Sequence, residues 1–163
     1  MQARGELPLR VTHNDTKINN VLFDPDGKDA LVVVDLDTVM PGLVGSDFGD
    51  AIRFSGNYVE EDCPESSRAG LNMEVFSAFA EGFLEKTASV LTKNEIDTLP
   101  VSCFALTVEL AVRFLDDYIQ GSPYFKINYE DHNLVRTRCQ IALAKDMHAK
   151  LDEMSACIAK IVK

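Results

Sequence analysis

From Leu71 onward the apolar residues return at helical intervals. Val75, Phe76, Phe79, Phe83 and Leu84 stand at i, i+4 and i+7 spacings and predict a helix ending near Ser89. Thr92 starts another, with Glu95 three residues on to complete a capping box. Pro100 is expected to interrupt it. A strongly apolar helix should then run from about Val101 to Tyr118, stopped by Gly121-Ser122-Pro123. Residues 129–163 read as one or two long helices, with Leu134, Ile141, Leu143, Met147, Leu151, Met154, Ile158 and Ile161 as the buried stripe. The beginning of the chain has a different pattern. Val21-Leu22-Phe23 and the run Ala30 to Val34 are strand-sized, and Asp24-Pro25-Asp26-Gly27-Lys28-Asp29 between them has the chemistry of a hairpin turn. The run from Pro41 to Ser46 reads as a flexible loop. Asp47 to Phe54 reads as a short helix capped by Ser46 or Asp47, and residues 56–70 as a polar surface loop. The expected fold is one domain over residues 1–163, mainly α with a small β-hairpin, and helical from 71 to 163.

Composition narrows the partners rather than the fold. At 163 residues, 46% hydrophobic and 26% charged, the chain is ordinary for a globular domain. Its net charge of −10 argues against nucleic acid or an anionic membrane surface, both of which call for a basic footprint. No uninterrupted apolar run approaches the roughly 18 residues of a spanning helix, and the start of the chain lacks an apolar signal core. Cys63, Cys103, Cys139 and Cys157 are widely spaced with no C-x-x-C pair, which points to reduced thiols in a cytoplasmic protein.

The polar loop before the hairpin carries the chemistry. His13-Asn14-Asp15-Thr16-Lys17-Ile18-Asn19-Asn20 is an H-x-D-x-x-x-x-N segment, and Asp35 follows at the end of the apolar strand, the segment 31–37. That order is the polar half of a kinase active site. One Asp takes the proton of the attacking hydroxyl, while an Asn and a second Asp hold Mg²⁺ on the phosphates of ATP. Asp15 is therefore the candidate catalytic base, and Asn20 with Asp35 the candidate ligands of Mg²⁺ and, through it, the nucleotide. His13 reads as a scaffold that holds the loop. A literal Asp-Phe-Gly at 47–49 is the wrong metal element on spacing, since the metal Asp should follow the loop by a short hairpin. Asp37, placed on the same strand face as Asp35, reads as a helper or a substrate contact. Asp50 reads as a buried acceptor for the catalytic-loop backbone. Only twelve residues precede the loop, so the glycine-rich loop and lysine that would cradle the nucleotide are expected on a missing N-terminal lobe.

The segments Thr12 to Asp24, Val34-Asp35-Leu36-Asp37 and Gly45 to Ile52 resemble the aminoglycoside phosphotransferase and choline-kinase-like superfamily. Ser46 stands where that superfamily usually has Asp, while Asp50-Ala51-Ile52 holds the register. Asp35-Leu36-Asp37-Thr38-Val39-Met40-Pro41-Gly42, Asp47 to Arg53, Arg113-Phe114-Leu115, Tyr124-Phe125-Lys126 and Asp131-His132-Asn133-Leu134 are most similar to the N-acetylhexosamine 1-kinase branch. The resemblance implies the C-terminal lobe of a protein-kinase-like fold. It also implies ATP-dependent phosphorylation of the anomeric hydroxyl of an N-acetylhexosamine, with Mg²⁺ as cofactor. A small-molecule kinase for an aminoglycoside, homoserine or choline is the alternative within enzymes. An inactive lobe that folds and self-associates, as a homodimer through its uncovered face, is the alternative outside them.

Two residues of the apolar helix bear on the acceptor. Arg113 sits among Leu106, Val108, Leu110, Ala111, Val112, Phe114 and Leu115, and needs a partner if buried. It could pair with Glu109 at i−4, or it could face the cleft as a donor fork. The resemblance implies the second role, with Tyr124 beside it as a sugar-contacting wall. His132, Arg136 and Arg138 open the last helical region and read as structural.

Overall fold

A computed structural model describes all of Met1–Lys163. Four short strands form two separate two-stranded antiparallel sheets. β1 (Arg10–Thr12) pairs with β4 (Met40–Gly42), and β2 (Val21–Phe23) pairs with β3 (Ala30–Val33). Five helices follow: α1 (Val44–Ser55), α2 (Met73–Thr87), α3 (Lys93–Ile119), α4 (His132–Ala149) and α5 (Leu151–Ile161). The chain is thus mainly helical with a small β part, and the β part is larger than one hairpin. Three-residue strands such as β1 and β4 fall below the length at which alternation can be recognised. Thr12 fixes their pairing, its hydroxyl donating to the Met40 carbonyl at 3.0 Å.

Helix boundaries follow local chemistry where that chemistry is strong. Thr92 and Glu95 form the expected capping box, and Asn72 caps α2 by accepting from the backbone N–H of Glu74 and Val75. Two expectations are corrected. α1 starts at Val44, earlier than expected, and neither Ser46 nor Asp47 caps it; its N-cap is Leu43, with no side-chain cap. Pro100 lies inside α3, which runs unbroken for 27 residues. The cost of the proline is offset by packing, since Leu99 and Cys103 on either side are fully buried. α3 is also long and apolar enough to cross a membrane by length and composition, although no single apolar run revealed it. Here it is the central core helix, packed against α1, α4 and α5.

The core gathers Phe48 of α1, Phe76 and Leu84 of α2, Leu99 and Cys103 of α3, Leu143 and Met147 of α4, and Met154 and Ile158 of α5. Phe48 packs edge-on against Phe76 and Phe83, with centroids 5.9 and 5.2 Å apart. α1 and α3 approach closely through Gly45 and Gly49. A Cβ at 49 would stand 2.7 Å from the Ser102 carbonyl oxygen, so only glycine fits this crossing. Ile141 is corrected in the opposite sense: it is exposed rather than part of the buried stripe. The four cysteines are unpaired.

Candidate active site

The loop from His13 to Asn20 is tied down at nearly every residue. Asp47, in the first turn of α1, accepts from the backbone N–H of His13 at 2.9 Å and of Asn14 at 2.7 Å. The Thr16 hydroxyl donates to the Asp47 carbonyl at 2.6 Å, and the Thr38 hydroxyl donates to the His13 carbonyl at 2.6 Å. Asn14 takes a left-handed conformation, φ 63°, a strained choice that these bonds hold in place. His13 Nδ1 accepts from the Asp15 N–H at 3.3 Å, so Nε2 carries the hydrogen and donates to the Val34 carbonyl at 3.2 Å. The imidazole therefore bridges the loop to the residue just before Asp35.

Asp15 emerges from this frame half-buried. Asn20 Nδ2 donates to its Oδ2 at 3.0 Å and to its backbone carbonyl at 2.9 Å. Lys17 Nζ lies 2.9 Å from Oδ1. Burial raises the Asp15 carboxyl pKa, but Lys17, Asn20 and His13 together outweigh burial and hold it below the ordinary carboxylate range. It is an ionised acceptor near neutral pH, as a proton-taking base requires. Lys17, two residues beyond Asp15, was not singled out in the sequence, although that spacing was the available signal.

Asn20 and Asp35 are brought together by hairpin register. Val21 pairs with Val33, and the Val34 N–H donates to the Asn20 carbonyl at 2.9 Å. The strand ends at Val33, so Asp35 stands beyond it in a left-handed conformation, φ 62°, and a 3₁₀ turn over Leu36–Thr38 follows. This corrects the strand assignment of 31–37 and the shared strand face of Asp35 and Asp37. The two carboxylates are neighbours in a turn instead. Asp37, followed by a small effect of burial and by Asp15, pushes the Asp35 carboxyl above its ordinary range. The donor set fits a hard divalent cation. Asn20 turns its Nδ2 to Asp15, which leaves its Oδ1 as a neutral oxygen, and Asp35 and Asp37 crowd their carboxylates just past the partner strand. Mg²⁺ takes one or two carboxylates and fills the rest of its shell with phosphate oxygens and water. No cluster of three acidic, His or Cys side chains exists that could supply an all-protein cage.

Beside Asp15 opens a cleft of about 290 Å³ whose far wall is α3. Glu109 and Arg113 line it from that helix, and Tyr124 and Phe125 close it. Arg113 forms no ion pair with Glu109. Its guanidinium lies over the rings of Tyr124 and Phe125, 5.8 and 5.5 Å from their centroids. The aromatic segment is held by buried Asp117, which accepts from the N–H of Tyr124 at 2.9 Å and of Phe125 at 3.0 Å, and from Asn133 Nδ2 at 2.8 Å. Asp117 was missed in the sequence because nothing in the pattern separates it from the neighbouring acidic Asp116.

Asp50 does not hold the catalytic loop, which is the task of Asp47. Its Oδ1 instead accepts from Arg53 Nε at 3.0 Å and Nη2 at 2.9 Å. Arg53, 1% exposed, also meets Glu61. Burial lowers the Arg53 pKa, and Asp50 with Glu61 more than reverses that. Three residues, less than one helical turn, separate the expected residue from the observed one. His132 and Arg136 do have structural partners: His132 Nε2 donates to Asp62 at 2.9 Å, and Arg136 donates to the Lys126 carbonyl at 3.1 Å.

Residues 1–80, just under half of the 163, match the model of the phosphotransferase enzyme family, APH. The match supports an aminoglycoside phosphotransferase-like enzyme, and the mainly helical fold is compatible with a kinase-like one. Asp15, Asn20, Asp35, Asp37 and Asp50 fall inside the matched stretch. Arg113 and Tyr124 fall outside it.

Proposed function

We propose that this chain is the acceptor- and metal-binding lobe of an ATP-dependent sugar kinase, with an N-acetylhexosamine as acceptor and its anomeric hydroxyl as nucleophile. The supporting observation is a juxtaposition. The ionised Asp15 stands between the Asn20–Asp35 donor pair and a cleft walled by Arg113 and Tyr124. Asp15 accepts the proton of the acceptor hydroxyl as that oxygen attacks the γ-phosphorus of ATP, and ADP departs with the bridging oxygen. Asn20 and Asp35 would hold Mg²⁺, which supplies positive charge to the phosphate oxygens. Lys17, beside Asp15, counters the negative charge that builds on the transferred group. Arg113 donates to acceptor oxygens while Tyr124 covers one face of the ring. On this reading the nucleotide's phosphates are cradled by a separate lobe.

The family match favours a second reading, a kinase for a cationic acceptor such as an aminoglycoside. The test is ATP-dependent phosphorylation of N-acetylglucosamine and of an aminoglycoside by the chain together with its nucleotide lobe, followed by ADP release. The sugar should be the substrate. Asp15→Asn and Asp35→Asn should each lower kcat by roughly a thousandfold. Turnover of the aminoglycoside alone, or full activity in either variant, would overturn the reading.

A further inference from the structure

Glu109 is a charged side chain with nothing to do in the fold. It precedes Arg113 by one turn on α3, the spacing at which Glu and Arg ordinarily close an ion pair. Here the guanidinium has turned to Tyr124 and Phe125. The carboxylate makes no hydrogen bond or ion pair, and it faces both the Asp15 cleft and the adjoining cavity lined by Leu43, Ser102 and Leu106. The other charges of the cleft are already engaged. Lys17 pairs with Asp15, and Arg53 pairs with Asp50 and Glu61. What remains free is one anion and one cation, side by side, with no net charge.

Resting on the reading of the cleft as an acceptor site, we propose that Glu109 is a specificity residue. Its carboxylate accepts a hydrogen bond from an acceptor hydroxyl while Arg113 donates to a neighbouring oxygen. A neutral, hydroxylated ring satisfies both. A polycation finds one free carboxylate and, beside it, a guanidinium that repels it. The volume points the same way. At about 290 Å³ the cleft lies at the small end of ligand sites, which run from roughly 300 to 1,000 Å³. It suits a single sugar ring better than a multi-ring aminoglycoside. In a lobe of net charge −10, Arg113 thus supplies the repulsion of a cation, and Glu109 supplies the hydrogen-bond acceptor that a sugar hydroxyl needs.

Binding alone tests this, without turnover. The purified 163-residue chain is titrated with N-acetylglucosamine, and separately with an aminoglycoside, by NMR chemical-shift perturbation. Glu109→Ala and Glu109→Gln are titrated beside it, with melting temperatures to show that these exposed-site variants fold. Wild type should bind the sugar in preference to the aminoglycoside. Glu109→Ala should weaken sugar binding by about tenfold or more, and Glu109→Gln, which keeps an accepting oxygen, should recover part of that loss. Unchanged sugar binding in Glu109→Ala would overturn the role of Glu109 and leave the sugar-kinase reading standing. A preference of wild type for the aminoglycoside, or no sugar binding at all, would overturn both.

Discussion

Protonating Glu95 should be an early acid lesion of this fold. Its carboxylate, 1% exposed, receives Arg10 Nε at 2.9 Å and Nη2 at 2.8 Å, and the Thr92 N–H at 2.7 Å. The Arg10 guanidinium, against burial and with help from Thr92, holds the carboxyl at about 2 from an ordinary 4.5. The folded value is the depressed one. The stabilisation is therefore present in full above the unfolded value and is lost as the pH falls from about 5 toward 2. At about 1.36 kcal/mol per pKa unit the gap corresponds to about 3 kcal/mol. Arg10 is 33% exposed, so water and salt screen the pair and about 2 kcal/mol is the expected size. Glu95→Gln retains the shape and can still accept from Thr92. Urea unfolding followed by circular dichroism from pH 7 to 2.5 should find the variant less stable by about that amount at pH 7. The two curves should draw together as the pH falls, with about a quarter of the gap left at pH 2.5. Parallel curves over the whole range, or equal stability at pH 7, would refute the reasoning.

Asp47→Asn should cost about 1–2 kcal/mol of stability, because the amide can accept only one of the two loop N–H groups and turns a donor toward the other. Thermal melting reads the loss, and an unchanged midpoint would refute it. Leu31, Val32 and Val33 of β3, and Leu36 just beyond it, are exposed, with Leu31 at 64%. We therefore expect concentration-dependent dimers by light scattering, reduced in a Leu31→Lys variant. Monomers at all concentrations up to millimolar, or association that Leu31→Lys leaves intact, would count against it.

The helical half was legible because its periodicity is long and its caps are explicit. Thr92 with Glu95 fixed one boundary, and the Phe76–Phe83 stripe fixed the face of α2. The failures share a cause. Pro100 and the start of α1 were read from local propensity, which misled at both: Leu99 and Cys103 hold α3 through the proline, and α1 begins at Val44 with no side-chain cap. The offset of Asp15, Asn20 and Asp35 was legible, and hairpin register carried it into space. What could not be read was which acidic residue serves which backbone. Asp47 and Asp50 differ by less than one helical turn, and only the packing of α1 against the loop decides between them. Glu109 and Arg113 were weighed as a pair because their spacing favours one. The aromatic segment that draws Arg113 away lies beyond the end of α3, out of reach of any local pattern.

These placements connect the core to the chemistry along one short path. Phe48 is buried against Phe76, Phe79 and Phe83, which fixes the first turn of α1. Asp47, its chain neighbour, then projects its carboxylate onto the N–H groups of His13 and Asn14. Those bonds hold the left-handed Asn14 and aim Asp15 at the cleft, while His13 carries the same constraint across to Val34 and so to Asp35. Asp15 and Asp35, twenty residues apart in sequence, are thereby referenced to one helix end. Arg113 and Tyr124 are referenced separately, through α3 and Asp117. A cavity left by shortening Phe48 should loosen Asp15 and the Asn20–Asp35 pair together while leaving the Arg113–Tyr124 wall in place. In this architecture, the residues proposed to position phosphoryl transfer and those proposed to receive the acceptor are mechanically distinct.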